Sequence, residues 1–365
     1  MVLSYSFLDL HAGLGSTALG FLRAGFRCIG LLEESKRAAV VLRENFPPMA
    51  APLLGAGPRE GDPAKLPLQR GLLEERPDVV VGAPLWRRPK GKKVQGRIFG
   101  TYTALRHLRP KAILLHFPGG GEGLEALNYL SALLMEEGYR VHPAKLDGSW
   151  YGLPKKQEIL VLLALSEEVP DPIPGCWPPP RLFHSPGERE REEDLPPGIE
   201  VPPPPRKPPF RPLTVEEALE GLTPESSGPG GTTWYARLMQ AWIPCGGEAP
   251  SAGGAGSRGK PAPGKRMGPR EGAPPGQGSP SKLREKARLQ SLPDGYHFRG
   301  TPSWARALVE ESLPPLMALV LARAVRSILD GVLPPKGFLP EARGEAAPLP
   351  EIPFPAYRET RRPTW

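Results

Sequence analysis

The sequence predicts an α/β protein built on a parallel, doubly wound sheet. Three observations carry this reading. From residue 5 to about residue 165, short β-rich runs alternate with segments of helical period. The first run is followed by a glycine turn, Gly13-Leu14-Gly15, that opens a helix. The last two runs are joined by a link too short for a crossover, which predicts an antiparallel pair at the sheet edge.

Taken in order, Tyr5–Leu10 is apolar and strand-like, and Leu14–Ala24 has helical spacing. Arg27–Leu32 reads as a strand and Lys36–Asn45 as a helix. Asp78–Val81 is a β-branched strand, followed by a loop and a helix from about Gly96 to His107. Ala112–His116 is a strand, Leu124–Glu137 a helix, and Val141–Leu146 and Ile159–Leu165 the final strands. Residues 1–168 are thus expected to form one large domain. Prolines crowd 169–212, with a charge run at Gly187–Asp194, and this stretch is expected to be a surface linker that buries little. A reduced small domain is expected over 213–300. In it, Leu213–Leu222 is a short helix with a capping box of Thr214 and Glu217, and Trp234–Trp242 is a second helix. Residues 246–281 are almost entirely Gly, Pro, Ala, Ser, Lys and Arg and are expected to be disordered. Order is expected again from Leu283 to Pro293. The segment 301–333 carries a strong helix from about Pro314 to Leu329 and is expected to return to the large domain, and 334–365 is a proline-rich tail.

The composition bounds the function. No apolar run approaches the ~20 residues that span a bilayer, and the chain enters a strand-like segment with no charged lead, so the expected location is cytoplasmic and no membrane partner is expected. Cys28, Cys176 and Cys245 are too scattered for a disulfide framework or a metal site, and Cys28 in its apolar strand reads as core. His116 and His142 have no ligand cluster around them and read as hydrogen-bonded structural residues. The net charge of +8 and pI of about 9.4 favour a polyanionic partner, a solvated basic surface being the alternative. Proline is abundant at 51 residues and the only asparagines are Asn45 and Asn128, which fits a heat-adapted source or a GC-rich genome.

Gly13 and Gly15 let the backbone approach a ligand at a helix N-terminus, although similar turns occur without one. Glu33 ends the second strand, where a carboxylate can accept both hydroxyls of a ribose or simply favour the start of the next helix. Asp62, in Gly61-Asp62-Pro63, can hold an adenine amino group or serve as a turn residue.

These segments resemble, in order and wording, the cytosine-5 DNA methyltransferases. Phe7–Ser16 resembles that family's cofactor motif, with His11 in place of a Phe and Ser16 in place of a Gly; Gly20-Phe21 and Ala24-Gly25-Phe26 continue it. Glu33, Ala38 and Asn45-Phe46-Pro47 match the second motif, with Ser35 in place of a common Asp. Arg288-Leu289-Gln290-Ser291-Leu292-Pro293-Asp294-Gly295-Tyr296, with Phe298 and Gly300, is similar to the ninth. The resemblance implies a class I S-adenosylmethionine-dependent methyltransferase sheet of Rossmann-like form with a reduced small target-recognition-like domain. It also implies S-adenosylmethionine as the cofactor, held by Asp9, His11, Gly13, Gly15, Glu33 and Asp62, with Glu33 on the ribose and Asp62 on the adenine.

The chemistry of that family needs a Cys thiolate to attack carbon 6 of cytosine and make carbon 5 nucleophilic, a Glu on the ring nitrogen and amine, and an Arg-x-Arg pair, all acting on a flipped base. Here Pro77-Asp78-Val79-Val80-Val81-Gly82-Ala83-Pro84-Leu85-Trp86 resembles the catalytic strand and loop, and Leu85 stands where the thiol belongs. Arg109-Pro110-Lys111 leads into the strand that ends with His116 at the Glu position. Gly152-Leu153-Pro154-Lys155-Lys156-Gln157-Glu158-Ile159 places Gln157 and Ile159 at the two Arg positions. Glu310-Glu311-Ser312-Leu313-Pro314-Pro315 places Glu311 at that of an Asn near the cofactor. No catalytic residue is therefore assigned. The expectation is a catalytically inactive homologue that binds DNA, or an active methyltransferase or restriction-modification partner, and that can retain S-adenosylmethionine. The alternative is a divergent active methyltransferase that uses no Cys nucleophile on DNA or another substrate. Arg87, Arg88, Lys90, Lys92, Lys93 and Arg97 are the expected phosphate contacts, a solvated mobile loop being the alternative. Trp86 is expected to fill the base pocket. Arg258, Lys260, Lys265, Arg266 and Arg270 suggest non-specific, salt-sensitive binding.

Overall fold

The computed structural model describes residues 5–46, 76–85, 92–183, 198–203, 213–219, 222, 280–334 and 338. Six strands form one sheet: β1 (Ser6–Asp9), β2 (Arg27–Leu31), β3 (Val79–Gly82), β4 (Ala112–Pro118), β5 (Arg140–Asp147) and β6 (Glu158–Leu165). Their order is β2-β1-β3-β4-β6-β5. β1 is parallel to both β2 and β3, and β3 is parallel to β4. The expected antiparallel pair is present, with β6 running antiparallel to both β4 and β5. The link between those two strands is a single 3-10 turn, Gly148–Tyr151, and a short loop, which permits nothing else.

The helices are α1 (Ser16–Arg23), α2 (Lys36–Asn45), α3 (Lys92–Leu108), α4 (Gly121–Glu136), α5 (Val215–Leu219), α6 (Pro280–Leu289), α7 (Pro302–Glu311) and α8 (Pro315–Asp330). Side chains alternate between the two faces of the sheet. Phe7, Val79, Val81, Ala112, Leu114, Val161 and Leu163 pack with α1, α2 and α8, while Leu8, Val80, Ile113, Leu115, Leu160 and Leu162 pack with α3 and α4. Because both faces are covered, the strands read as continuous apolar runs rather than as alternation.

α3 begins four residues before the expected Gly96. α7 was not expected as a separate helix. Thr301 caps it, with Oγ1 accepting the Trp304 N–H, and Pro302 opens its first turn. The capping box of α5 is formed: the Thr214 N–H donates to Glu217 Oε2 at 3.0 Å and the Glu217 N–H to Thr214 Oγ1 at 3.2 Å. The stretch 302–330 reaches a mean hydropathy of 1.4 over an 18-residue window, enough in length and composition for a bilayer span, but 83% of that window is buried inside the fold. It is also split in two at Ser312-Leu313-Pro314.

Residues 169–183, the described first part of the proline-rich stretch, bury more than expected. Cys176, Trp177 and Phe183 are all within the main core. The prolines are interspersed with apolar side chains, and two polar contacts anchor the stretch. Trp177 Nε1 donates to His142 O at 3.1 Å, and Tyr151 Oη donates to Pro179 O at 2.8 Å. Further along, the Lys145 N–H donates to Glu200 O and the Glu200 N–H to Pro143 O, both at 2.9 Å, so residues 198–203 cover the open edge of β5. The expected helix at 234–242 and nearly all of the low-complexity stretch lie outside the described residues.

Residues 280–330 pack back on the first half of the chain. α8 lies on α1 so closely that a Cβ at Gly20 would stand 2.4 Å from Leu319 N. Asn45, the last residue of α2, pairs its amide with the backbone of His297: Nδ2 donates to His297 O and Oδ1 accepts the His297 N–H, both at 2.9 Å. Tyr296 Oη donates to Leu14 O in the glycine turn. The buried Arg288 is held by Asp294, with Nε donating to Oδ1 at 2.8 Å. Gly20→Val is expected to destabilise the protein by about 1–3 kcal/mol through overpacking at this contact. The readout is a lower urea midpoint at unchanged slope; an unmoved midpoint would mean that α1 and α8 do not meet so closely.

Candidate functional site

The carboxyl ends of β1, β2 and β3 bring together most of the residues expected around a cofactor. Gly13 and Gly15 both have left-handed backbone, φ 56° and 76°. The Gly13 N–H donates to Glu33 Oε2 at 2.8 Å and the Ser35 N–H to Oε1 at 2.6 Å. The Glu33 carboxylate therefore ties the glycine turn after β1 to the start of α2. Gly15 has a packing reason of its own, because a Cβ there would stand 2.3 Å from the Phe46 ring. Asp62 lies outside the described residues.

Asp9 ends β1 and is buried. Its Oδ1 accepts the His11 N–H at 3.0 Å, and Oδ2 is buried without a donor among the described residues. Burial pushes its pKa up to about 7, with the Glu33 charge adding to the rise and the His11 hydrogen bond opposing it.

His11 turns toward α3. Its Nε2 lies 3.2 Å from Thr101 Oγ1. Thr101 uses its one hydroxyl proton on Arg97 O at 2.8 Å, so Oγ1 is the acceptor and Nε2 carries the imidazole proton. Nδ1 is then the bare nitrogen; it is buried without a partner, 2.7 Å from where a Cβ on Gly82 would be. Burial, with the charges of Arg97 and His116, pushes the ring down to about 3, so it is neutral at physiological pH.

Arg97 is committed to this region. Its guanidinium pairs with Glu34, and its pKa is lowered by burial and raised by the Glu33 charge. As placed, it lies beside the two carboxylates that follow β2. The sequence could not reveal this, because the pairing joins α3 to a residue 63 positions earlier. Arg87, Arg88, Lys90 and Trp86 lie outside the described residues, and Lys92 and Lys93 open α3 with side chains that are likewise outside them.

The second feature is a cavity of about 300 Å³. Four distant segments line it: Ala83 and Leu85 after β3, His116–Gly119 at the end of β4, Lys155–Ile159 at the start of β6, and Glu310–Leu313 between α7 and α8. All the positions singled out from the resemblance, Leu85, His116, Gln157, Ile159 and Glu311, meet here. Leu85 is only 3% exposed and also packs with the core on the α3 and α4 face. Burial pushes His116 down to about 4, so its ring is neutral. Gln157 Nε2 donates to Ser312 O at 3.3 Å, and Oε1 is buried without a donor among the described residues. Lys155, half-buried, has its pKa lowered by burial and by the like charge of Lys286.

Sequence reasoning missed the parts played by two residues. Gln290 Nε2 donates to the same Ser312 O at 2.7 Å, so two amides grip the break between α7 and α8. Thr101 fixes the His11 tautomer. The break was signalled by Pro314-Pro315, which a helix does not run into; the two amide partners carried no signal. Of the cysteines, Cys28 is half-buried on β2. Cys176 is buried, donates to Ala324 O at 3.3 Å and is pushed up to about 11 by burial. Neither lines the cavity.

No family model matches the chain. It is 24% identical over 355 residues to the type II methyltransferase M.PspPI of Psychrobacter sp., covering 90% of this chain and 80% of that protein. It is 25% identical over 362 residues to the type II methyltransferase M.Eco47II of Escherichia coli, with the same coverage. A shorter match, 46% identical over 50 residues, links it to the DNA (cytosine-5-)-methyltransferase M.ApeKI of Aeropyrum pernix. Among solved structures, a prophage-encoded E. coli protein described as a DNA modification methyltransferase superposes with a TM-score of 0.57 at 17% identity, covering 90% of this chain and all of that one. DNMT2 of Spodoptera frugiperda superposes with a TM-score of 0.52 at 14% identity, covering 88% of this chain and all of that one. The sheet is accordingly that of class I methyltransferases, and over 90% of its length the chain is similar to type II methyltransferases.

Proposed function

We propose that this chain is a catalytically inactive homologue of the DNA (cytosine-5) methyltransferases that binds DNA without modifying it. One observation carries the reading: the cavity holds Leu85, His116, Gln157 and Ile159 where the resemblance calls for a thiolate, a carboxyl and two guanidiniums. Leu85 has no nucleophilic atom. His116, neutral and low in pKa, is a poor proton donor at physiological pH. The buried thiol of Cys176 is far from ionising, and neither it nor Cys28 lines the cavity, which supports the absence of a substitute among the described residues; Cys245 lies outside them.

The turn at β1 fits S-adenosylmethionine. The unpartnered Oδ2 of Asp9, beside Glu33, is a buried acceptor suited to an ammonium or hydroxyl. Glu33 accepts a backbone N–H at each oxygen, which holds its carboxylate beside the glycine turn where a ribose would lie. When bound, the cofactor supplies an electrophilic methyl group. Asp9 and Glu33 would hold it, with the Gly13 turn alongside, while His11 stays turned to Thr101 and offers it no stacking ring. On this reading the net charge of +8 attracts DNA through the basic residues around 87–93, in the cytoplasm. An active methyltransferase or another restriction-modification component is the fitting partner, given the type II relatives.

Three outcomes are expected. First, DNA incubated with the protein and labelled S-adenosylmethionine gains no label above a heat-inactivated control. Leu85→Cys alone restores none, because the carboxyl and both guanidiniums are still missing; labelling by that single variant would overturn the assignment of the site. Second, log Kd for DNA rises linearly with log salt, with a slope of about 0.9 per phosphate contacted. Third, a carboxyl whose pKa is raised on folding stabilises the fold below its unfolded value and loses that contribution as pH rises through the folded value. Asp9→Asn is therefore expected to be more stable than the parent at pH 8, by about 1–3 kcal/mol. The gain should shrink as pH falls through 7 toward 4, read from thermal melts; a gain independent of pH would show that Asp9 does not titrate there.

A further inference from the structure

We propose that the outer face of α3 and α4 pairs with the same face of a second copy of this chain, α3 of each protomer lying on α4 of the other. The inference is independent of the DNA-binding reading and adds an interface to it.

The two helices lie side by side over one face of the sheet. Their inner sides enter the core through Ala104, Leu105, Ala126, Leu127 and Leu130. Their outer sides carry Phe99, Tyr129 and Met135, which are 62%, 55% and 54% exposed. The other described helices expose no large apolar side chain beyond 41%. Single exposed apolar residues need no explanation, but several gathered on one face mark a contact surface. Helical geometry does gather them. Phe99 and Arg106 stand seven residues apart, two turns along one side of α3. Glu125, Tyr129, Ala132 and Glu136 follow one another at steps of four, three and four, and all are exposed. Ala132 is a low point in that stripe where a bulky side chain from outside can sit.

Charge says what covers the face. α3 contains no Asp or Glu, and α4 contains no Lys or Arg. Arg106, and Arg109 just past the helix, share the one carboxylate of Glu137 at 3.2 and 3.1 Å, with their side chains 64% and 58% exposed. One positive charge is left in excess there. On α4, Glu122, Glu125 and Glu136 are exposed and have no ion-pair partner among the described residues. A two-fold axis running along the helices sets α3 on α4 and α4 on α3 at once, so the basic side meets the acidic side twice. An axis across the helices would set like on like. Phe99 then falls on the stripe of Tyr129 and Ala132, with the Met135 thioether beside it. Helices of 17 and 16 residues are about 25 Å long and pack about 10 Å apart, so the face covers about 500 Å² in plan. The two copies together bury about 1,000 Å², at the lower edge of specific interfaces, which corresponds to a dissociation constant on the order of micromolar.

Sedimentation velocity of the full chain, from about 1 to about 100 µM, tests this. At low salt a monomer and a dimer are expected in exchange, with the dimer weakening as salt rises. Phe99→Asp and Glu125→Lys are each expected to weaken the dimer about tenfold or more, since each position is used twice. Both positions are exposed, so urea midpoints measured below about 1 µM, where the monomer dominates, should not move. A protein that stays monomeric at about 100 µM overturns the proposal. A dimer that keeps its strength in Phe99→Asp pairs by another face and also overturns it. So does a dimer indifferent to both salt and Glu125→Lys, because charge would then not select the partner.

Discussion

The return of residues 280–330 across α1 is the contact on which both sites depend. It is built from apolar burial along α8, sharpened by the absence of a side chain at Gly20, and fixed in register by three long-range contacts: Tyr296 with Leu14, Asn45 with His297, and Arg299 with Glu44. Hydrogen bonds of this kind each contribute about 0.5–1.5 kcal/mol net, so packing supplies most of the stability and the polar contacts choose the alignment. Two results follow. The glycine turn is supported from behind at Leu14, so the backbone beside Glu33 is held rather than free. The Ser312 carbonyl also arrives between Gln157 and Gln290, which gives the cavity a wall that the first half of the chain cannot supply.

Much of the fold was legible because its signals are local. Lys36–Asn45 matches its expected limits because a Ser35 cap precedes an amphipathic run. The three valines of β3 and the short β5 to β6 link gave the sheet and its antiparallel pair for the same reason. The proline-rich stretch was misread because composition reports how a segment behaves alone. Trp177 and Phe183 are inside because a neighbouring surface accepts them, which no window around them encodes. α7 was overlooked because its ten residues run into a longer apolar stretch, and only the cap at Thr301 and the prolines after Ser312 separate the two helices.

The candidate sites were legible as positions and not as partnerships. Leu85, His116, Gln157, Ile159 and Glu311 come from four segments, and wording alone proposed that they meet; the cavity is where they do. Sequence could not say that His11 would give its proton to Thr101, that Arg97 would turn to Glu34, or that Glu33 would close the glycine turn. Each is a choice among equally suitable polar partners, decided by three-dimensional placement. The consequence at Glu33 is specific. Of the two readings of that residue, the local structural one is seen directly: its backbone hydrogen bonds orient the carboxylate beside the glycine turn.

The pattern of replacement around the cavity has an electrostatic logic on the proposed reading. In the resembled family a carboxyl and two guanidiniums share a desolvated pocket, so each lowers the cost of burying the others. Removing one partner from such a set leaves uncompensated buried charge, at a cost of about 3–5 kcal/mol, whereas replacing the whole set by neutral groups of similar volume is neutral or stabilising. Here those positions carry a neutral imidazole, an amide and a hydrocarbon, so none of the three brings a formal charge. Partial loss would have been penalised in the folded protein and complete loss would not. The thiol follows the same course. Its value lay in attacking a base polarised by those charges, and once they are gone a leucine joined to the core with Leu10, Leu32 and Ile98 is the better packed choice. The charges that remain at the cavity, on Lys155, Lys156, Glu158, Glu310 and Glu311, stand at positions other than those of the thiolate, the carboxyl and the guanidiniums.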